Sequence, residues 1–122
     1  MQNDPFNALL ARYQGLPLFN NCPVKDANAV AIDGESILHK AVMMKDVMAV
    51  KMLLQHAANP NQAGAMGDTP LHQAVFNNNL EIAEILVNSG ADVGIANEYG
   101  ETILDLAKTQ KSKTLFNFLN QV

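Results

Sequence analysis

Three histidines, one cysteine and twelve carboxylates are the groups of this 122-residue sequence that could do acid–base, nucleophilic or metal chemistry. His39, His72 and Asp105 lie 33 residues apart and could be imagined as a metal site or a His/Asp pair. Equal spacing argues against both. It puts the three on equivalent positions of successive units, whose helices would pack roughly 8–10 Å apart. Metal ligands must converge to about 2 Å from one ion. His56 falls at the end of an apolar segment, where a helix C-terminus favours positive charge, and suits a cap or solvent position. Cys22 has no second cysteine, so an internal disulfide is impossible, and it reads as a small apolar residue. Gly64, Gly67 and Gly94 lack the following Lys-Ser/Thr and the preceding strand of a phosphate loop. No Ser-His-Asp, zinc-protease or kinase signature is present. The residues therefore point to no enzyme, no cofactor and no metal.

The elements that must position these side chains form a repeat. Gly34, Gly67 and Gly100 are 33 residues apart. Leu38, Leu71 and Leu104 form a second column, Leu53, Leu86 and Leu119 a third, and Glu35, Asp68 and Glu101 a fourth. Ala41, Ala74 and Ala107 form a fifth, which Ala8 extends one period earlier. Self-similarity at this period marks a repeat architecture. The second unit is the clearest. Thr69 suits an N-cap and Pro70 the first helical position. That helix ends near Phe76 at Asn77-Asn78-Asn79, a turn that asparagine can make in the left-handed conformation. A second helix spans about residues 80–88, with Ile82, Ala83, Ile85 and Leu86 on one face, and Gly90 follows as its cap.

Gly67-Asp68-Thr69-Pro70-Leu71-His72-Gln73-Ala74 resembles the ankyrin-repeat signature, and Leu80 to Val93 resembles its second helix and loop. Gly34 to His39 and Gly100 to Asp105 are weaker copies. The resemblance covers roughly residues 31–122. It implies an all-α solenoid of stacked helix–turn–helix units joined by short loop fingers. It also implies that His39 and His72 hydrogen-bond one unit to the next. Departures are visible. Ile37 and Ile103 replace the proline, Asp105 the histidine and Ala57 the glycine, and Lys45 stands at the position of Asn78. They should soften the first and third units. Residues 1–30 read as a degenerate N-terminal capping unit, 31–63 and 64–96 as repeats, and 97–122 as a C-terminal capping repeat. Asp4 and Pro5 start a helix in the first of these, and Asp26 to Ala29 resembles a loop. Lys108 to Lys113 should present a polar outer end, with Leu115, Phe116, Phe118 and Leu119 closing the core.

The repeated apolar columns are structural, because one helical pair cannot bury its own face. The residues that vary between units carry the functional reading. Asp33, Met66 and Tyr99 share a column at the loop-to-helix turn, with Glu98 beside Tyr99 and the Glu35, Asp68, Glu101 ladder two residues on. Met43, Met44, Phe76 and Asn77 lie at the far ends of the first helices. Met43 suits either the core or a binding surface, Met48 the outer side and Met52 the core. The ladder is either a solvated face or a contact. In ankyrin-repeat proteins the face formed by loop tips and first helices usually binds another protein. Aromatic residues and methionine favour interface cores, and a carboxylate ladder would attract a basic surface.

Composition narrows the class further. A net charge of −4 argues against nucleic acid. The acidity belongs to residues 1–104, with five basic against eleven acidic side chains. Apolar residues at 48% and charged ones at 16% exclude a disordered chain. No stretch approaches the ~20 apolar residues of a membrane span, and Met1 to Gly15 lacks a signal-peptide core. The expectation is a cytoplasmic monomer without tail or second domain, too small to scaffold several clients. It would act as an inhibitor or regulator of one basic protein, or as an immunity protein against a secreted toxin. Self-association through the same face is the structural alternative.

Overall fold

The computed structural model describes residues 4–109 and 113–121. Seven helices follow one another: α1 (Pro5–Gln14), α2 (Ile37–Met43), α3 (Val47–Gln55), α4 (Pro70–Phe76), α5 (Leu80–Asn88), α6 (Ile103–Thr109) and α7 (Lys113–Asn120). Among the described residues the extended pairing is an isolated bridge between Val30 and Ser36 at the base of the first finger. Gln110, Lys111 and Ser112 of the expected polar end lie outside the described residues.

Side chains at the helix starts fix the boundaries. Asp4 caps α1 through the Phe6 N–H, Asp46 caps α3 through Ala49, and Asn79 caps α5 through Ile82. The shorter helices α2 and α4 open with Ser36 and Thr69. Each hydroxyl accepts the N–H three residues on, and a histidine ring at that third position closes the box. In α6 the partners are Thr102 and Asp105. The Asp105 carboxylate accepts the Thr102 N–H at 3.1 Å, and the Thr102 hydroxyl accepts the Asp105 N–H at 3.2 Å. Replacing histidine by aspartate therefore leaves this helix start intact, where softening was expected.

The helices form two layers. In the inner layer α2 packs on α4 and α4 on α6; in the outer layer α3 packs on α5. Ala41, Ala74 and Ala107 are buried between inner helices, as small side chains at a close crossing must be. Leu53, Leu86 and Leu119 are buried from the outer side, while Leu104, in the last inner helix, is only partly covered.

The first unit departs from the period. Ala8 is exposed, so it does not belong with Ala41 despite the spacing. Helix α1 packs on α3 and extends the outer layer. Arg12 and Asp46 pair at 2.8 Å, and the Phe6 ring stacks on His56 at 3.7 Å, so His56 packs against the first helix. The chain then folds back over its own helix. The Gln14 amide donates to the carbonyls of Phe19 and Cys22, and its oxygen accepts the Val24 N–H at 2.7 Å. That clamp covers Tyr13 and Phe19, both fully buried. Gly15 and Pro17 break the helical path where a second helix would have begun.

Left-handed positions recur at the ends of outer helices. Gly90 takes φ 99° without cost, but Ala57, one period earlier, takes φ 70°. An alanine Cβ is strained there. Gly64 is glycine for another reason. A Cβ on it would lie 2.5 Å from Glu35 Oε2 and 2.9 Å from His39 Nε2. Ala57→Gly should raise the urea midpoint by about 1 kcal/mol of stability. Gly64→Ala should lower it by about 1–3 kcal/mol. Equilibrium unfolding of the two variants beside the parent checks both signs.

Candidate protein-binding face

Each inner helix start reaches forward to the next unit. His39 Nδ1 accepts the Ser36 N–H at 3.1 Å, which places the ring proton on Nε2. Nε2 then donates to the Asp68 carbonyl at 2.8 Å. His72 repeats the arrangement, with Nδ1 on the Thr69 N–H and Nε2 on the Glu101 carbonyl. Nδ1 thus caps its own helix while Nε2 ties the unit to the next, as the family resemblance implied. Among the described residues no group of three or more His, Cys, Asp or Glu side chains could hold a metal ion.

The carboxylate column is a second forward link. Glu35 is 5% exposed, and its Oε2 accepts the Ala65 N–H of the next finger at 3.1 Å. Asp68 Oδ1 accepts from the Asn97 side-chain amide at 3.0 Å, and the same nitrogen donates to Glu101 Oε1 at 2.9 Å. The expectation of an exposed ladder is corrected here. Glu35 is inside the stack, and Asp68 and Glu101 are half-buried around Asn97. Sequence reasoning missed Asn97. Its signal was the change from Gly64 to Asn97 at one register: a backbone that closely approaches Glu35 in one finger gives way to a side-chain amide in the next.

Asn28 and Asn61 make a third link. Asn28 donates to the Ala57 carbonyl and accepts the Asn59 N–H. Asn61 does the same with Gly90 and Asp92. A 33-residue hydrogen-bonded period, an inner and an outer helical layer and a signature run at Gly67 to Ala74 are now established. The ankyrin-repeat family model matches three copies over residues 6–97. The chain belongs to the ankyrin-repeat family. A comparison with curated proteins finds no match. Ankyrin repeats are protein–protein interaction modules, typically without catalysis. Among the described residues no helix is long and apolar enough to cross a membrane.

Several side chains that the ankyrin stack does not bury are large and apolar. Met66 and Tyr99 stand at successive finger tips, 51% and 68% exposed, with the Tyr99 hydroxyl 3.8 Å from the Met66 sulfur. The Glu98 N–H donates to the Met66 carbonyl, so the two fingers are joined while the Glu98 carboxylate faces solvent. Met43 and Met44 end α2 in solvent, which settles Met43 as a surface residue. Phe76 and Asn77 are exposed at the end of α4. Met48 is exposed in the outer layer, and Met52 is partly buried against the core. The finger tips precede the inner helices and the exposed helix ends close them, so the two rows lie at opposite ends of these seven-residue helices.

Asp33 lies in the first row but is already paired. Its carboxylate holds Lys40 at 2.6 Å, and the Lys40 side chain is almost fully buried. Burial would raise the Asp33 carboxyl, but the bonds from Lys40 and the Glu35 N–H outweigh it and hold the group below the usual range. The first row also contains residues absent from the sequence reading. Ile32, at 73% exposure, is the most exposed large apolar side chain of the described residues. Leu18 and Val30 are exposed with it, and the Ile32 N–H donates to the Leu18 carbonyl. Column comparison hid Ile32, because its counterparts are Ala65 and Glu98.

Burial lowers the His39 pKa, against a smaller opposite pull from the Asp68 carbonyl and the Glu35 and Asp68 carboxylates. The unfolded chain takes up this proton near pH 6.5. The folded chain resists it, so the unfolded state binds more protons below that pH and stability falls as pH drops. Urea midpoints should decline from pH 7.5 to 5.5. In His39→Ala, less stable throughout, the decline should be shallower.

Proposed function

We propose that this ankyrin-repeat protein binds one protein partner through the two rows and acts as its inhibitor or regulator by covering it. The observation that carries the reading is the contrast within the repeat. Interior columns are buried, with Leu104 alone partly covered, whereas Ile32, Met43, Met44, Met66, Phe76 and Tyr99 are large apolar side chains left in water. Scattered exposed apolar residues are ordinary, but rows at the variable positions of a repeat mark an interaction surface. Met66, Phe76 and Tyr99 are of the types that dominate interface cores.

Charge complementarity sets the kind of partner. Glu35, Asp68 and Glu101 receive their hydrogen bonds from backbone or side-chain amides. These bonds fix the carboxylates without cancelling their charge. Glu98 adds an exposed one, and Asp33 is offset by Lys40. The partner surface is therefore apolar at its centre and basic around it, with the charge acting mainly on the encounter rate. Neutralising a basic toxin, as an immunity protein does, is one form this inhibition could take.

The test is a Phe76→Ala, Tyr99→Ala double variant, assayed against the partner recovered from the host by cross-linking and then purified. Loss of each anchor should cost about 2 kcal/mol or more, roughly thirtyfold in Kd. An unchanged Kd in a folded double variant refutes the face. Sedimentation of the parent should show a monomer at micromolar concentration. A dimer abolished by the same two substitutions would assign the face to self-association instead.

A further inference from the structure

The face is rich in one oxidisable side chain. Of the five methionines among the described residues, Met43, Met44 and Met66 stand in its two rows, Met48 is exposed elsewhere, and Met52 packs against the core. One period after Met43 and Met66 the same positions hold Phe76 and Tyr99, so the rows are apolar in both repeats. Met66 is the most constrained of the three. Its backbone sits at φ 60°, its carbonyl is held by the Glu98 N–H at 2.9 Å, and its sulfur lies 3.8 Å from the Tyr99 hydroxyl.

We propose that Met43, Met44 and Met66 form a reversible oxidation site, at which a hydroperoxide switches the face from apolar to polar. The thioether lone pair attacks the outer peroxide oxygen. An S–O bond forms as the O–O bond breaks, and the peroxide leaves as water or an alcohol after proton transfer. Sulfur loses two electrons and the peroxide gains them. The product is a methionine sulfoxide, a polar side chain with a strong acceptor oxygen. At Met66 that oxygen replaces a weak sulfur acceptor for the Tyr99 hydroxyl, so the modification also tightens the contact between finger tips. Exposure sets the order of attack. The core is less affected, because the one described methionine packed against it is partly buried. Oxidation therefore alters the surface without dissolving the stack. The chemistry needs no partner; its consequence, release of a bound protein, rests on the reading of the face given above.

The experiment treats the intact protein with hydrogen peroxide and follows each methionine by peptide mass spectrometry. Met43, Met44 and Met66 should oxidise about tenfold faster than Met52. The Tyr99 ring signals should shift in step with Met66, and helical circular dichroism should be retained. Retention on a phenyl matrix should fall, then recover after a methionine sulfoxide reductase. In a Met48→Leu background, which removes the exposed methionine outside the rows, a Met43→Leu, Met44→Leu, Met66→Leu variant keeps the rows apolar and should hold its retention under peroxide. A Met48→Leu variant should lose retention as the parent does. Equal oxidation of Met52, unfolding in step with oxidation, or lost retention in the triple-leucine variant would overturn the proposal. With the purified partner the two readings separate. A partner that ignores Phe76→Ala, Tyr99→Ala overturns the face, whereas one that needs those rings but tolerates the oxidised protein overturns only the switch.

Discussion

Polar groups at the joints between repeats must find hydrogen bonds inside the stack, and each repeat supplies them to its successor. His39 and His72 hold the carbonyls of Asp68 and Glu101. Glu35 and Asp68 hold amides of the following finger, and Asn28 and Asn61 hold the far ends of the outer helices. A buried polar group without a partner costs about 1–3 kcal/mol, so each of these side chains protects more than the net worth of its own bond. The apolar columns supply the larger driving force, about 2 kcal/mol for each fully buried leucine. They are non-directional, however, and would tolerate some sliding between helices. The side-chain bonds fix the register and so bring equivalent finger tips and helix ends side by side.

Much of the architecture was legible because the period is covalent information. Thr69-Pro70-Leu71-His72 names a helix start, and the same chemistry can be read in Ser36 to His39 even with isoleucine for proline. The failures have one physical origin. Spacing reports which positions are equivalent only while each unit keeps its full complement of helices. The first unit has one helix before Gly15, and that helix packs in the outer layer. Ala8 therefore matches the inner alanine column by number and not by environment.

The site was less legible than the fold. Residue type singled out Met66, Phe76 and Tyr99, which stand where the repeat varies and are exposed. The acidic column was misread as an open ladder because acidity alone does not say where a carboxylate finds its hydrogens. Glu35 is buried where the Gly64 backbone closely approaches it, and Asp68 and Glu101 share the amide of Asn97. These carboxylates are consequently fixed in position by the stack itself. Ile32, the most exposed of its apolar members, has no apolar counterpart in later fingers and was invisible to a method that looks for recurrence.

The direction of the joints has a further consequence at the last repeat. A histidine ring can accept with one nitrogen and donate with the other, so it caps its own helix and grips the next unit at once. Asp105 can only accept. It caps α6 through Thr102 and has no hydrogen to offer beyond it. Gly94, at the register of Asn28 and Asn61, has no side chain to offer either. Among the described residues this unit thus lacks two of the forward links. A spare unit spliced between two existing ones would meet waiting hands on both sides, whereas the same unit fused after Asn120 would find two of the grips missing.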